Sequence, residues 1–319
     1  PEDHIPCGYS GICSNGKMLL LSTVCRKNGG DMIYTSTDSG ENWKIIMNRL
    51  EYSRFDWNIP YMKPQYNGGG NCVHWISDIK LSPFDSDTAL FNTGTGLFMI
   101  TGLASGDVLV KPFCEGIEET VHLNVYTTPH GRNRIIDIIG DLGGFAFEDY
   151  DSECENSFAN ENGDRYITCL NADLTLSDPE YIVATPRGNW TGKTKGGLIL
   201  SKDCGSTWER LSMPRGLSEF IDQKLDNIEK PNVDSGWTAI SADGKRIMWA
   251  VAGGRGFSNK AVCYTDDEGK TWQKSIFMDS NGNSADEHNV KIFSDYYNSD
   301  LFFAIAEREN LGLYISRDK

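Results

Sequence analysis

Short apolar, strand-forming runs punctuate the chain, and four of them end in the same way. Met32-Ile33-Tyr34, Gly197-Leu198-Ile199-Leu200, Ala261-Val262-Cys263-Tyr264 and Gly312-Leu313-Tyr314-Ile315 each lead into a Ser or Thr followed two residues later by Asp. Three of them continue through Gly to Trp, so that Ser36–Trp43, Ser201–Trp208 and Thr265–Trp272 share the pattern [ST]-x-D-x-G-x-[NT]-W, and Ser316-Arg317-Asp318 opens one more copy. An apolar run closed by Asp and Gly predicts a strand and then a tight hairpin. The Asp side chain accepts backbone N–H groups inside the turn, and Gly supplies its positive φ. The Trp starts the return strand and offers a broad apolar face to a neighbouring unit. A turn that recurs between strands marks a radial repeat, so the expected fold class is all-β, a β-propeller.

Amphipathic helical periodicity is scarce. Leu217–Glu229 is the best candidate, as a short helix inserted in a loop. The repeats are unevenly spaced. Asp203 and Asp267 lie about one blade of roughly 40–50 residues plus insertions apart, whereas the stretch from Asp38 to Asp203 must hold blades whose turns have lost the pattern.

Composition narrows the partners. The chain has 319 residues and a net charge of −15. A nucleic-acid partner needs a basic surface, so that class is disfavoured, as are anionic membranes and polyanionic sugars. A neutral ligand suits this charge. No apolar run approaches the roughly 20 residues of a membrane span. Nine cysteines without a C-x-x-C pair suggest disulfides in an oxidising compartment, with Cys7, Cys13 and Cys25 pairing among themselves, Cys154 pairing with Cys169, and one thiol left over. The sequon Asn189-Trp190-Thr191 agrees with a secreted, extracellular protein. The sequence opens at Pro1 with no initiator Met and no signal peptide, as a processed chain or a segment of a longer one does. The five histidines lack metal-ligand spacing, Asp279–Ser284 lacks the glycine of a calcium loop, and neither a metal nor a cofactor is expected.

The repeated turn resembles the Asp-box of sialidases, sortilin-type receptors and propeller glycosidases. By that resemblance Asp38, Asp203 and Asp267 are structural turn locks away from any catalytic centre. A more specific likeness lies between 75 and 149. W-I-S-D-I-K-L-S-P-F-D-S-D from Trp75, G-I-E-E-T from Gly116 and G-D-L-G-G-F from Gly140 follow one another as they do in glycoside hydrolase family 74, the xyloglucanases. The resemblance continues through Gly236–Gly244 and the later repeats. It implies tandem seven-bladed propellers, with residues 1-65 ending the first and 66-319 forming most of the second. It also implies inverting hydrolysis of a neutral plant polysaccharide, a β-1,4-glucan bearing xylose branches. Inversion needs a carboxylic acid and a carboxylate base roughly 6.5–9.5 Å apart. The family's acid falls on Asp141, directly after the apolar run Ile135–Ile139, whose surroundings are expected to raise its pKa. The family's base lies in an R-T-D-x-G-G segment, whereas Arg26-Lys-Asn-Gly-Gly30 has no carboxylate there. The chain therefore reads as carrying the acid without its base.

Other candidate substrate contacts follow from chemistry. Gly143 and Gly144 are expected to leave room for a polymer, and Glu118 or Glu119 to reach a sugar hydroxyl. Trp57 and Trp190, in polar loops, are expected to stack on sugar rings, while Trp75 and Trp249, in strand-like runs, are expected in the core. A non-catalytic glycan-binding propeller and, further off, a sortilin-like receptor propeller are the competing classes.

Overall fold

A computed structural model describes residues 7–26, 30–48, 54–62, 73–117, 120–154, 156–189, 192–212, 235–251, 262–285, 290–306 and 312–318. The candidate helix 217–229, Trp190, Glu118 and Glu119 lie outside the described residues. The described chain is all β and falls into two compact units, Pro1–Thr120 and Val121–Lys319.

In the first unit, β1 (Gly8–Ser14), β2 (Leu19–Val24), β3 (Ile33–Ser36) and β4 (Lys44–Met47) form one antiparallel meander. The second sheet takes β5 (Arg54–Phe55) parallel onto β9 (Leu109–Pro112), which closes the meander of β6 (Asp78–Leu81), β7 (Ala89–Thr93) and β8 (Gly96–Thr101). The second unit repeats the plan. Its first meander is β10 (Val121–Thr127), β11 (Ile135–Gly140), β12 (Gly143–Phe147) and β13 (Asn156–Ser157), and its second is β14 (Cys169–Leu174), β15 (Ile182–Pro186), β16 (Ile199–Ser201) and β17 (Glu209–Arg210). The third comprises β18 (Trp237–Ile240), β19 (Ile247–Ala250), β20 (Val262–Thr265) and β21 (Gln273–Lys274). A hairpin of β22 (Phe277–Met278) and β23 (Ser284–Ala285) precedes the three strands β24 (Lys291–Ser294), β25 (Phe302–Ala306) and β26 (Gly312–Ser316). These sheets are propeller blades.

An apolar layer fills the space between each pair of consecutive blades within a unit. Ile33 and Met47 meet Ile79, Phe91 and Phe98 in the first unit. In the second, Ile136 and Ile138 meet Ala172, Ile182 and Ala184. Val183 and Leu200 meet Ile240 and Trp249, and Ala239 and Met248 meet Ile292 and Phe302. Ile182 and Val183 thus point to opposite faces and are both buried. This is why Ile182, Val183 and Ala184 read as a continuous apolar run and not as an alternation.

The three complete copies of the repeated pattern all join the third strand of a blade to the fourth. In each, one carboxylate oxygen accepts the N–H four residues on: Asn42 to Asp38 at 2.9 Å, Thr207 to Asp203 at 2.8 Å, Thr271 to Asp267 at 2.8 Å. The preceding Ser or Thr hydroxyl bonds to the same oxygen. These donors hold Asp38, through the Asn42 backbone first, and Asp267, through the Thr271 hydroxyl first, at a pKa of about 2. Trp208 packs on Phe158 at 4.5 Å between ring centroids, and Trp272 lies 5.9 Å from Trp249. The glycine of the turn is equally constrained, because a Cβ on Gly205 would meet Ile136 at 3.0 Å.

The eight described cysteines are free thiols, against the disulfides expected from their number. Cys169 and Cys263 sit in the layers between blades, where a bridge to a loop has no path, and burial pushes both thiols up to about 12. Thiol labelling of the native chain without reductant should therefore spare Cys114, Cys169, Cys204 and Cys263, and all four should label once the chain is unfolded; a pair that stays unreactive after unfolding would restore the disulfide.

Candidate active site

Asp141 stands at the turn between β11 and β12. An antiparallel meander puts this turn at the opposite end of the blade from the turn between its third and fourth strands, where the repeated Asp-Gly pattern occurs in other blades. Its backbone is left-handed, with φ of 63°. Asp tolerates that region better than most side chains because it is short and polar. Two bonds fix the turn to the segment leading into β14: Asp141 donates its N–H to the buried Thr168 hydroxyl at 2.9 Å, and Gly143 donates to the Ile167 carbonyl at 2.7 Å. Arg187, in the connection after β15, donates its N–H to the Thr168 carbonyl at 2.7 Å. The Asp141 side chain is exposed, and its carboxylate has no hydrogen-bond or ion-pair partner among the described residues. The apolar surroundings expected for it belong instead to Asp137, four residues back in the strand. That carboxyl is buried, which pushes its pKa up, although His122 on β10 bonds to it at 2.9 Å and pulls the other way.

Gly143 and Gly144 are buried, and the space expected for a polymer beside them is occupied from within. A Cβ on Gly143, whose φ is 81°, would lie 2.8 Å from the Tyr166 carbonyl, and one on Gly144 would lie 2.7 Å from the Phe158 ring. The close approach that excludes side chains here is between neighbouring parts of the protein. Trp57 is half-buried, stacked on Phe55 at 5.3 Å and edge-on to Phe98 at 6.1 Å, so much of its ring is spent on the first unit's core. Trp249 is in the core as expected, donating to the Ser235 carbonyl at 2.7 Å. Trp75 is not: it is 62 % exposed. Asn189 of the sequon spends its side chain on its own turn, bonding to the Thr194 hydroxyl at 2.9 Å.

A second polar cluster went unread in the sequence. The inner strands β10, β14, β18 and β24 line a cavity of about 380 Å³ with Asn124, Tyr126, Asn171, Asp173, Trp237 and Ser294 among its walls. An inner strand is an edge, so its N–H groups need partners. Asn171 accepts the Thr238 N–H at 2.7 Å and Asp173 accepts the Ile240 N–H at 2.9 Å, both on β18. Asp173 also accepts the Ser294 hydroxyl of β24 at 2.7 Å, tying three blades through one buried carboxyl. Burial pushes Asp173 up to about 6 against the pull of those donors. Asn124 and Asn171 both donate to the Tyr126 hydroxyl. These groups largely satisfy one another, which makes the cluster a fastening between blades.

No family model matches the chain. A xyloglucanase of Paenibacillus sp is 23 % identical over 94 % of the chain and 28 % of its own length. A xyloglucanase of Acetivibrio thermocellus is 24 % identical over 91 % of the chain and 33 % of its own length. Among solved structures, the family 74 xyloglucanase of Xanthomonas campestris matches all of the chain and 40 % of its own length, with a TM-score of 0.73 and 22 % identity. The Niastella koreensis family 74 enzyme matches with a TM-score of 0.69 and 19 % identity. The likeness to the family 74 xyloglucanases holds along nearly the whole chain. The structures carry the propeller-type fold, and the chain spans about a third of the length of these curated relatives.

Asp173→Ala leaves the Ile240 and Leu174 N–H groups buried without an acceptor and should cost about 3 kcal/mol in urea unfolding. A change below about 1 kcal/mol would remove its fastening role. The folded-state pKa is raised above the unfolded value, so the neutral form is favoured by folding. That contribution is fully present below the unfolded value of 3.8 and is lost as pH rises through about 6. Asp173→Asn should accordingly flatten the fall in stability across that window; an unchanged slope would place the titration elsewhere.

Proposed function

We propose that the chain is the acid-bearing part of a secreted, xyloglucan-active β-1,4-glucan hydrolase that inverts configuration. The observation that carries this reading is the Asp141 carboxyl: exposed, without a side-chain partner among the described residues, and on a turn held at two points. A general acid must reach the leaving glycosidic oxygen, and a group already bonded within the protein would first have to break away. Fixing the backbone at Thr168 and Ile167 leaves the side chain few arrangements to lose when a sugar binds.

The base is assigned to a part of the protein outside this chain. Inversion requires it across the scissile bond, roughly 6.5–9.5 Å from Asp141, with a water between. The relatives' similarity supports a neutral polysaccharide as the substrate, in keeping with the net charge of −15. The two-propeller division expected from the sequence, with residues 1-65 ending one propeller and 66-319 forming the next, belongs to the same reading.

Asp141→Asn in the full-length parent protein should lower kcat on xyloglucan by about 10²–10⁴-fold while leaving the melting temperature unchanged. Product released by the wild type should appear first as the α-anomer in ¹H NMR. Activity retained within about threefold of wild type would remove Asp141 from the acid role. Binding of xyloglucan by the wild type without hydrolysis would make the protein a glycan-binding propeller.

A further inference from the structure

Six described non-glycine residues have positive φ, and they sort by role. Ser39, Cys204 and Glu268 hold the same position in the three repeated turns. Cys25 and Asp141 directly follow the second strand of their blades. Trp75 fits neither group. At φ of 60° it is the bulkiest side chain among the six, in a region that favours Gly, Asn and Asp.

The neighbouring backbone shows what imposes this conformation. Asp31 is 1 % exposed and grips the chain on both sides of the His74-Trp75 pair. Its N–H donates to the Val73 carbonyl at 3.1 Å, and its carboxylate accepts the Ile76 N–H at 3.0 Å. The other carboxylate oxygen accepts the Arg26 N–H at 3.1 Å and the Thr23 hydroxyl at 3.3 Å, which anchors the clamp to the end of β2. Val73 and Ile76 are both buried in the first unit's core. With positions 73 and 76 pinned, the two residues between them are pushed outward, and both His74 and Trp75 are exposed. The indole is also propped. The His74 ring meets it edge-on at 5.9 Å, and the Gly94 turn lies beneath its Cε3 edge, where an added Cβ would sit 3.9 Å away.

Stability alone would not choose this arrangement. An indole left 62 % exposed gains little from burial, and its backbone conformation is one that Gly adopts freely. Strain kept at an exposed position by a buried clamp is the mark of a presented functional group. A flat apolar face with a polar N–H edge, beside an imidazole able to bond to hydroxyls, matches one face of a pyranose ring and its equatorial hydroxyls. Stacking on nucleobases uses the same face but needs a basic groove, which a chain of net charge −15 opposes.

We propose that His74 and Trp75 form a saccharide-stacking platform for a neutral glucan, held ready by Asp31. This rests on the glucan-active reading above and adds a contact that the sequence had assigned to the core. The test measures calorimetric affinity for a xyloglucan oligosaccharide, together with melting temperature, on the full chain and its Trp75→Gly and Trp75→Tyr variants. Trp75→Gly should bind about tenfold more weakly yet melt at the same temperature or higher, because strain is relieved as the platform is lost. Trp75→Tyr should keep affinity within about threefold, since it retains an aromatic face. Wild-type affinity in Trp75→Gly overturns the platform while leaving hydrolysis by Asp141 intact. A melting temperature lowered in both variants in step with affinity also overturns it, by making Trp75 a packing residue. If Asp141→Asn leaves hydrolysis unchanged while Trp75→Gly loses affinity, the acid assignment falls and the platform stands. If the wild type binds no saccharide, both fall.

Discussion

A blade packed between two others is buried on both faces, and that constraint orders everything else in this chain. Once Ile182 and Val183 point into different apolar layers, the strands have no face left to offer a ligand. In such a blade accessible polar groups are left to the inner strand, which here lines the cavity around Asp173, and to the strand ends, in the turns and links. Even there the end carrying the Asp-Gly-Trp turns is committed to packing, because Trp208 and Trp272 reach back into the layer shared with the preceding blade. The turn between the second and third strands and the link into the first are what remain. Asp141 and Trp75 occupy those positions, each in its own blade.

The two residues are presented by the same device. A left-handed backbone residue turns a side chain out of the run of a strand, and buried hydrogen bonds on either side keep it there. Thr168 and the Ile167 carbonyl do this for Asp141, and Asp31 does it for Trp75. Asp bears the conformation at little cost, whereas Trp does not. The strained residue therefore needs the stronger clamp, a carboxylate that is fully buried and bonded on both oxygens.

The repeated turns were legible because their chemistry is local: the Ser or Thr, the Asp, the Gly and the Asn or Thr two places beyond it bond within eight positions. Asp141 was singled out through the likeness of G-D-L-G-G-F to a family motif, and what the local sequence added was its place at the end of the apolar run Ile135–Ile139, where the structure has the turn after β11. What could not be read depended on partners distant in sequence. Asp173 fastens β18 and β24 from 67 and 121 residues away, and nothing beside it in C-L-N-A-D-L announces them. Trp75 looked like a strand residue, but the strand begins at Asp78, and the clamp that ejects the indole lies 45 residues back from Ile76. The glycines after Asp141 read as openings in the sequence, although the groups that fill their space, Tyr166 and Phe158, come from a later link.

The central claim is that Asp141 meets the bond to be broken. A crystal structure of the full-length parent carrying Asp141→Asn, soaked with a xyloglucan oligosaccharide, tests it most directly. The account predicts a bridging glycosidic oxygen about 2.6–3.2 Å from the side chain at position 141. A glucan bound with every bridging oxygen beyond about 5 Å from that side chain would contradict it.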